Sequence, residues 1–432
     1  MADKKLKVII AGAGIAGLAT AIALRNHPQI EVELFDQATE LKEIGASIAL
    51  SPNGLRTLER LGVHNALDDD VAFRGPNAHL PMIYRHWKTN EIVSYDTFVG
   101  VIDRRHQTAR FHRAHLHQAL LQHVPPELVH VKKKVQNATV EPDSVTVFFA
   151  DGTSVKGDIL VGADGIHSKV RTAFVPHHKL KWTGRIIMRA TYDASLVEGV
   201  LDLPPDSTHW WGLDKFFFAS KLGKNQFTIV GSYDPTLNFG HESEEVNWDD
   251  QGDVNILREA YKDWNPVVRA LTLATPSVRL FPNWAGEALP TWTFGSRVTL
   301  VGDAAHTHGG AYAAGGSLAI DDAYALLLSF LHVLPVDHHR SSKPSVAEIE
   351  RVLRLYEETR RPHTERLLKD VLGNPRKGSI AKSDEELRQK LQTRPSTTWL
   401  SEHDVVAAFE DVVKKERRLW AEGDSVVRFS VH

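Results

Sequence analysis

The sequence predicts an α/β fold in three parts: a parallel-sheet domain discontinuous in sequence, an antiparallel-sheet domain inserted into it, and a set of C-terminal helices. Three observations predict it. An apolar run ending at Ala11 leads into Gly12-Ala13-Gly14-Ile15-Ala16-Gly17 and then a helical stretch. Between about Thr183 and Val230 the pattern changes to aromatic and β-branched runs, which read as a second, antiparallel sheet. Beyond it, Arg297 to Val301 restores an apolar strand that enters another glycine-rich segment, so the first domain resumes after the insertion. The boundaries are 1–72, 103–182 and 279–335 for the split domain, 73–102 and 183–278 for the inserted one, and 344–432 for the helical region.

In chain order, Lys5 to Ala11 reads as a buried strand, Leu18 to Asn26 as a helix, and Glu31 to Phe35 as a strand ending at Asp36. Lys4, Lys5 and Lys7 before the uncharged stretch Val8 to Leu24 also mimic a signal peptide. A strand–turn–helix explains the glycines, which a signal sequence does not need. Further strands are expected at Val129 to Val135, Ser144 to Phe149 and Asp158 to Ala163, the second with the alternation of a half-exposed sheet. The inserted sheet takes Arg185 to Tyr192, His209 to Phe218 and Gln226 to Tyr233. A helix follows from about Gly316 to Leu331, then a long amphipathic helix from Val346 to Leu372 in which Pro362 marks the point of a kink. A polar linker, Gly373 to Ser383, precedes the terminal helices.

Composition narrows the chemistry. Apolar residues make up 42% and charged residues 24%, as in a soluble globular protein. Lys and Arg total 51 against 54 Asp and Glu, interspersed along the chain, so no nucleic-acid footprint is expected. The chain has 0 cysteines, which excludes disulfides, thiolate zinc sites, iron–sulfur clusters and a cysteine nucleophile. Redox chemistry must then come from a bound cofactor. The histidine groups His112/His115/His117/His123 and His177/His178 lack carboxylates at metal-ligand spacing, and no metal site is expected. The apolar stretch Ala323 to Val336 contains Ser, His and Pro and is too short to span a bilayer. A cytoplasmic protein without a membrane anchor is expected.

Three segments carry chemistry. In the first, Gly12 gives a tight turn, Gly14 lets the backbone approach a pyrophosphate, Gly17 packs helix on strand, and Asp36 offers a carboxylate to adenosine ribose hydroxyls. The helix N-terminus then faces the phosphates with unpaired amides. This pattern serves NAD and FAD equally. The second is Asp164-Gly165-Ile166-His167-Ser168-Lys169-Val170-Arg171, after an apolar strand; alone, Asp-Gly reads as a turn. The third is Gly302-Asp303-Ala304-Ala305-His306, followed by Gly315-Gly316-Ser317 at a helix start. An acid at such a strand end suits ribityl hydroxyls, while Gly315 and Gly316 let helix amides reach a flavin ring whose reduced, negative form the dipole favours.

Together, over residues 8 to 323, these segments resemble the class A FAD-dependent aromatic hydroxylases, the group containing para-hydroxybenzoate hydroxylase and salicylate hydroxylase. The resemblance implies a Rossmann-like FAD-binding domain of the glutathione-reductase type, non-covalent FAD, and NAD(P)H as a transient reductant. It assigns Gly12, Gly14, Gly17 and Asp36 to the ADP half of FAD, Asp164 and Gly165 to flavin and nicotinamide binding, and Asp303 to the ribitol. It nominates Arg113 as a FAD contact and sets Gly45 and Ala46, within Gly45 to Leu50, beside the isoalloxazine. It departs at Thr307 to Gly316, where many relatives carry a proline and Gly-Gln-Gly. That variant resembles fungal salicylate-hydroxylase-like enzymes, some of which dearomatise polyketide phenols. The activity implied is hydroxylation of an electron-rich phenol by O2 through a flavin C4a-hydroperoxide. A decarboxylative, salicylate-type hydroxylation stands as the alternative. From other classes, an NAD-dependent dehydrogenase would share only the first segment, and a non-catalytic flavin-binding protein would share all three.

The substrate is expected between flavin and inserted sheet. Arg189, on the same strand face as Ile187, is either an ordinary paired arginine or the cation that holds a phenolate, since a guanidinium favours the anion without acting as a base. Tyr233 is a candidate phenolate hydrogen-bond donor and His209 a candidate base, although aromatics such as Trp210 and Trp211 in a sheet are commonly core. His306 is expected to pack the flavin loop, and Arg360-Arg361 to form a solvated or ion-paired helix face.

Overall fold

The computed structural model describes residues 5–41, 46–234, 247, 249–337, 342–373 and 381–429, with side chains to 421. Its first core is built on a six-stranded sheet ordered Thr293–Phe294, Val298–Leu300, Ile159–Gly162, Leu6–Ala11, Ile30–Phe35, Val129–His130. The central strands are parallel, with Ile10 opposite both Leu34 and Val161. Both faces are covered, which is why Leu6–Ala11 and Ile159–Gly162 are near-continuous apolar runs rather than alternating ones. On one side the helix Ile15–Leu24 packs against Gly315–Val333, itself backed by Val346–Gly373. Gly315–Val333 is long and apolar enough to cross a membrane by length and composition, but 67% of its apolar window is buried inside the fold, as a core helix requires. The helix Val346–Gly373 continues through Pro362.

The inserted sheet has eight strands, ordered Asp250–Gly252, Val278–Gly286, Leu180–Asp193, Gln226–Tyr233, Phe216–Leu222, Thr208–Trp211, Ile83–His86, Ile92–Tyr95. Strand alternation divides its faces. Ile186, Met188 and Ala190 turn to a second core with Trp210, Phe217 and Tyr261, closed by the helices Val254–Ala260 and Pro266–Ala274. Arg185, Ile187 and Arg189, one residue out of phase, turn to the first domain.

The structure corrects three element expectations. Val129 to Val135 is split between the strand Val129–His130 and the separate strand Val135–Val140. His209 to Phe218 is a hairpin, because Gly212 and Lys215 close a turn through the Gly212 amide, 2.8 Å from the Lys215 carbonyl. A boundary at 279 would cut the strand Val278–Gly286, whose pairing with Leu180–Asp193 keeps it in the inserted sheet. Most of the polar linker, 374–380, lies outside the described residues.

Candidate active site

A cavity of about 1480 Å³ runs between the two sheets. Sites for drug-sized ligands occupy about 300–1000 Å³, so this one has room for an elongated cofactor and a second molecule.

Its first end is the glycine turn. Gly12 has φ +104°, and a Cβ there would stand 2.4 Å from the Ala163 carbonyl oxygen. A Cβ on Gly17 would stand 1.8 Å from the Gly12 oxygen, which sets the helix directly on the turn. Gly14 differs: it lines the cavity, and its Cβ would meet no protein atom within 4 Å. The helix Ile15–Leu24 has no side-chain cap and no acidic residue in its first turn, so its leading amides are left for an anion. Asp36 lines the cavity and accepts from the Ala13 amide at 2.6 Å and the Ala38 amide at 2.7 Å. His117, weighed in the sequence only as part of a histidine group without metal-ligand spacing, sits 2.8 Å from the Ala13 carbonyl through Nε2 and ties the helix Arg113–Leu121 to the turn. At the head of that helix, Arg113 lines the cavity and its amide donates to the Ala46 carbonyl at 2.7 Å. Gly45 lies outside the described residues.

The other two motifs meet in the middle. Asp164 caps the helix Lys169–Phe174, accepting from the Lys169 and Val170 amides and from Ser168 Oγ. Burial pushes its carboxyl up against those hydrogen bonds. Arg171 donates to the Ile166 carbonyl on one side and to the Asp303 and Ala304 carbonyls on the other, clamping the Asp164-Gly165 turn to the Gly302-Asp303 turn. Asp303 faces the cavity, as do Gly315 and Gly316. Between them, Gly309, Gly310, Tyr312 and Ala313 all have φ between 53° and 65°, a left-handed run costly for the two non-glycine residues.

Behind this loop lies a buried charge network that the sequence did not disclose. Asp322 accepts from the Gly302 amide at 2.8 Å and from Arg360 Nε at 2.9 Å, and it meets His306 Nε2 at 2.7 Å. Burial alone would raise the Asp322 carboxyl; His306, Arg360 and the Gly302 amide outweigh it and hold it at about 2. Of the solvated or ion-paired face expected for Arg360-Arg361, Arg360 is ion-paired with Asp322 but not on a face: its side chain is 0% exposed. Only Arg361 lies on a partly exposed face, paired with Glu357 and Glu365. Removing one partner of a buried pair strands the other, so Arg360→Leu is expected to destabilise the fold by about 3–5 kcal/mol. Thermal denaturation checks it: the midpoint falls well below the parent's, whereas Arg361→Leu moves it little.

On the sheet side, Arg189, Val230, Phe218, His209 and Tyr84 form one row straight across the strands. All of them line the cavity. Burial and the nearby Arg113 lower the Arg189 guanidinium to about 10, so it stays charged at neutral pH. Its Nε has no hydrogen-bond partner, and among the described residues no carboxylate pairs with it. It lies over the Phe281 ring, and its Nη2 is 3.9 Å from where a Gly310 Cβ would be. His209 lines the cavity among Trp211, Phe216 and Phe218, with burial pushing it down to about 3. That takes away the basicity a general base needs near neutral pH. Tyr233 points the other way, into the second core, so the structure does not bring it to the cavity.

The residues fit FAD. An open Gly14, bare helix amides, an acid at the second strand end and glycines at the start of Gly315–Val333 form one continuous wall. Among the described residues no group of three metal-ligating side chains occurs.

Comparison with known proteins agrees with this wall. Residues 5–370 match the family described as FAD binding domain. The chain is 28% identical to 6-hydroxynicotinate 3-monooxygenase of Bordetella bronchiseptica over 371 residues, covering 84% of this chain and 90% of that one. It is 28% identical to salicylate hydroxylase of Pseudomonas putida over 436 residues, covering 96% and 95%. A solved salicylate hydroxylase substrate complex superposes with a TM-score of 0.77 at 21% identity, over 95% of this chain and 98% of that one, a likeness of fold. The chain therefore belongs to the FAD binding domain family.

Proposed function

We propose that the protein hydroxylates an electron-rich phenol, held as its phenolate by Arg189, and leaves a dearomatised product. When bound, FAD supplies the activation of O2 at the expense of NAD(P)H. This chain's residues bind and orient the ring, stabilise the phenolate and exclude water. The single observation that carries the reading is the Arg189 guanidinium: enclosed, charged, without a carboxylate, and aimed at the Gly309–Gly310 loop where the wall for the flavin ends. An oxyanion beside it returns the missing partner, and a phenolate directs electrophilic attack to the ring carbons conjugated with it. Arg113 stands close enough to depress Arg189 further, which increases the demand for an anion. His209 contributes a neutral hydrogen-bonding edge.

The test is NAD(P)H oxidation by the purified holoenzyme across a panel of resorcinols and salicylate, with product mass and released CO2 measured. From a resorcinol alkylated at the attacked carbon, the expected product keeps every carbon, gains one oxygen and has lost the aromatic ring's absorption, because that carbon has no proton to release and cannot rearomatise. Stoichiometric CO2 from salicylate, with an aromatic product, would overturn the dearomatising outcome.

A further inference from the structure

The cavity has a second polar end that the phenolate contact does not use. His209 stands three strands from Arg189 along the same row, a backbone separation of roughly 14 Å at the usual strand spacing. Around His209 three nitrogens are enclosed without a hydrogen-bond partner: His209 Nδ1, Trp211 Nε1 and Arg394 Nη1. All three residues line the cavity. Arg394 lies 3.8 Å over the Tyr84 ring, whose centroid is 6.0 Å from that of His209. Arg110, also on the wall, lies 5.3 Å over Phe218 and donates only to neutral oxygens, Ser207 Oγ and the Pro81 carbonyl.

The charges here do not balance. Among the described residues Asp96 is the one carboxylate acting on this end; it lies 3.9 Å from Arg394 Nη1, beyond hydrogen-bond reach, and already accepts from the Tyr84 hydroxyl at 2.8 Å. Asp214 and Asp234 act instead on Arg185. Two guanidinium groups therefore share one carboxylate, and the neutral His209 adds nothing to either sign. The buried Arg110, with the partly exposed Arg394 beside it, leaves an excess of positive charge on this wall that an anion completes. Arg394 lies beyond residues 5–370, whereas His209, Trp211 and Arg110 lie within them, so the C-terminal segment completes this end of the cavity.

We infer that Arg394, Trp211, His209 and Arg110 form a remote subsite for an anionic oxygen group of the substrate, which is therefore an elongated phenol with its acid end well away from the reacting ring. The inference rests on the phenol reading for the ring end only. A carboxylate attached directly to the ring, as in salicylate, is too close to the phenolate to reach both ends of the row. A tethered carboxylate and an ionised 1,3-dicarbonyl share the required chemistry, and a probe of each kind separates them.

The experiment titrates the FAD-loaded enzyme with 4-(2,4-dihydroxyphenyl)butanoate, its methyl ester and 2,4-dihydroxybenzoate, reading the perturbation of the flavin absorption band. A resorcinol bearing an acetoacetyl chain serves as the 1,3-dicarbonyl probe. The butanoate is expected to bind about tenfold or more tighter than the ester and the benzoate, the ratio expected of a charge-assisted hydrogen bond. Arg394→Gln should collapse that acid-over-ester ratio towards one, and Arg394→Lys should restore part of it. Trp211→Phe keeps the ring, removes one donor and should lower the ratio severalfold, which keeps the test open should the Arg394 variants lose flavin. Equal binding of acid and ester by the parent, or an equal loss of both in Arg394→Gln, would overturn the subsite. Turnover separates the two readings: selective binding without NAD(P)H oxidation leaves the subsite and removes the hydroxylation, whereas turnover without acid preference does the reverse.

Discussion

Gly14→Val is expected to cost at least about a hundredfold in FAD affinity while leaving the fold intact. The asymmetry follows from the surroundings. No protein atom lies within 4 Å of a Gly14 Cβ, so the free protein accepts the side chain without a clash. The space it fills is the face where the uncapped amides of Ile15–Leu24 meet the cavity, and a branched side chain keeps the pyrophosphate from them. Equilibrium dialysis against FAD, with circular dichroism of the apoprotein, reads both halves of the expectation. The same substitution at Gly17 should fail differently, because its Cβ would collide with the Gly12 backbone and disturb the fold itself.

The second large effect is at Arg189. Arg189→Gln is expected to keep FAD and lower turnover by about 10²–10³-fold at neutral pH, the range seen when a donor to a reacting oxyanion is removed. The sign with pH follows from the charges. In the parent the guanidinium favours the phenolate, so the bound phenol ionises below its ordinary value near 10, and turnover holds through neutral pH. In the variant that help is gone, and turnover should climb as pH approaches the value at which the phenol ionises unaided. Arg189 itself, held down to about 10, loses its charge over the same upper range, so the parent should gain nothing there. Parallel kcat profiles for parent and variant would remove the phenolate contact.

What could be read from the sequence was whatever the backbone demands locally. The Gly12 turn needs a left-handed φ, and the strands on either side of it are apolar throughout because both their faces are covered. The parity of Ile187 and Arg189 was equally legible, since a strand allows only two directions. Tyr233 was misjudged for the same reason. Its direction depends on which face of Gln226–Tyr233 the helices Val254–Ala260 and Pro266–Ala274 cover, and pairing of Ile186 with Tyr233 decides that only in three dimensions. Arg360 looked like a helix surface residue because its partner Asp322 is 38 positions away on another helix. Nothing local to Asp322 signals that it carries three contacts. Arg394 falls within the region expected to be helical; it lies between two helices, and only the folded chain brings it over Tyr84. His117 could have been suspected, as a buried polar side chain facing the glycine turn needs a partner there.

The central claim is that Arg189 holds the substrate phenol as an anion. It is tested most directly by the ionisation state of a bound phenol, measured by carbon NMR on the FAD-loaded enzyme with resorcinol carrying carbon-13 at its hydroxyl-bearing positions. At neutral pH, where free resorcinol is protonated, the bound carbon beside Arg189 is expected at the phenolate position and should return to the neutral position in Arg189→Gln. A neutral phenol bound to the parent enzyme at that pH would contradict the account.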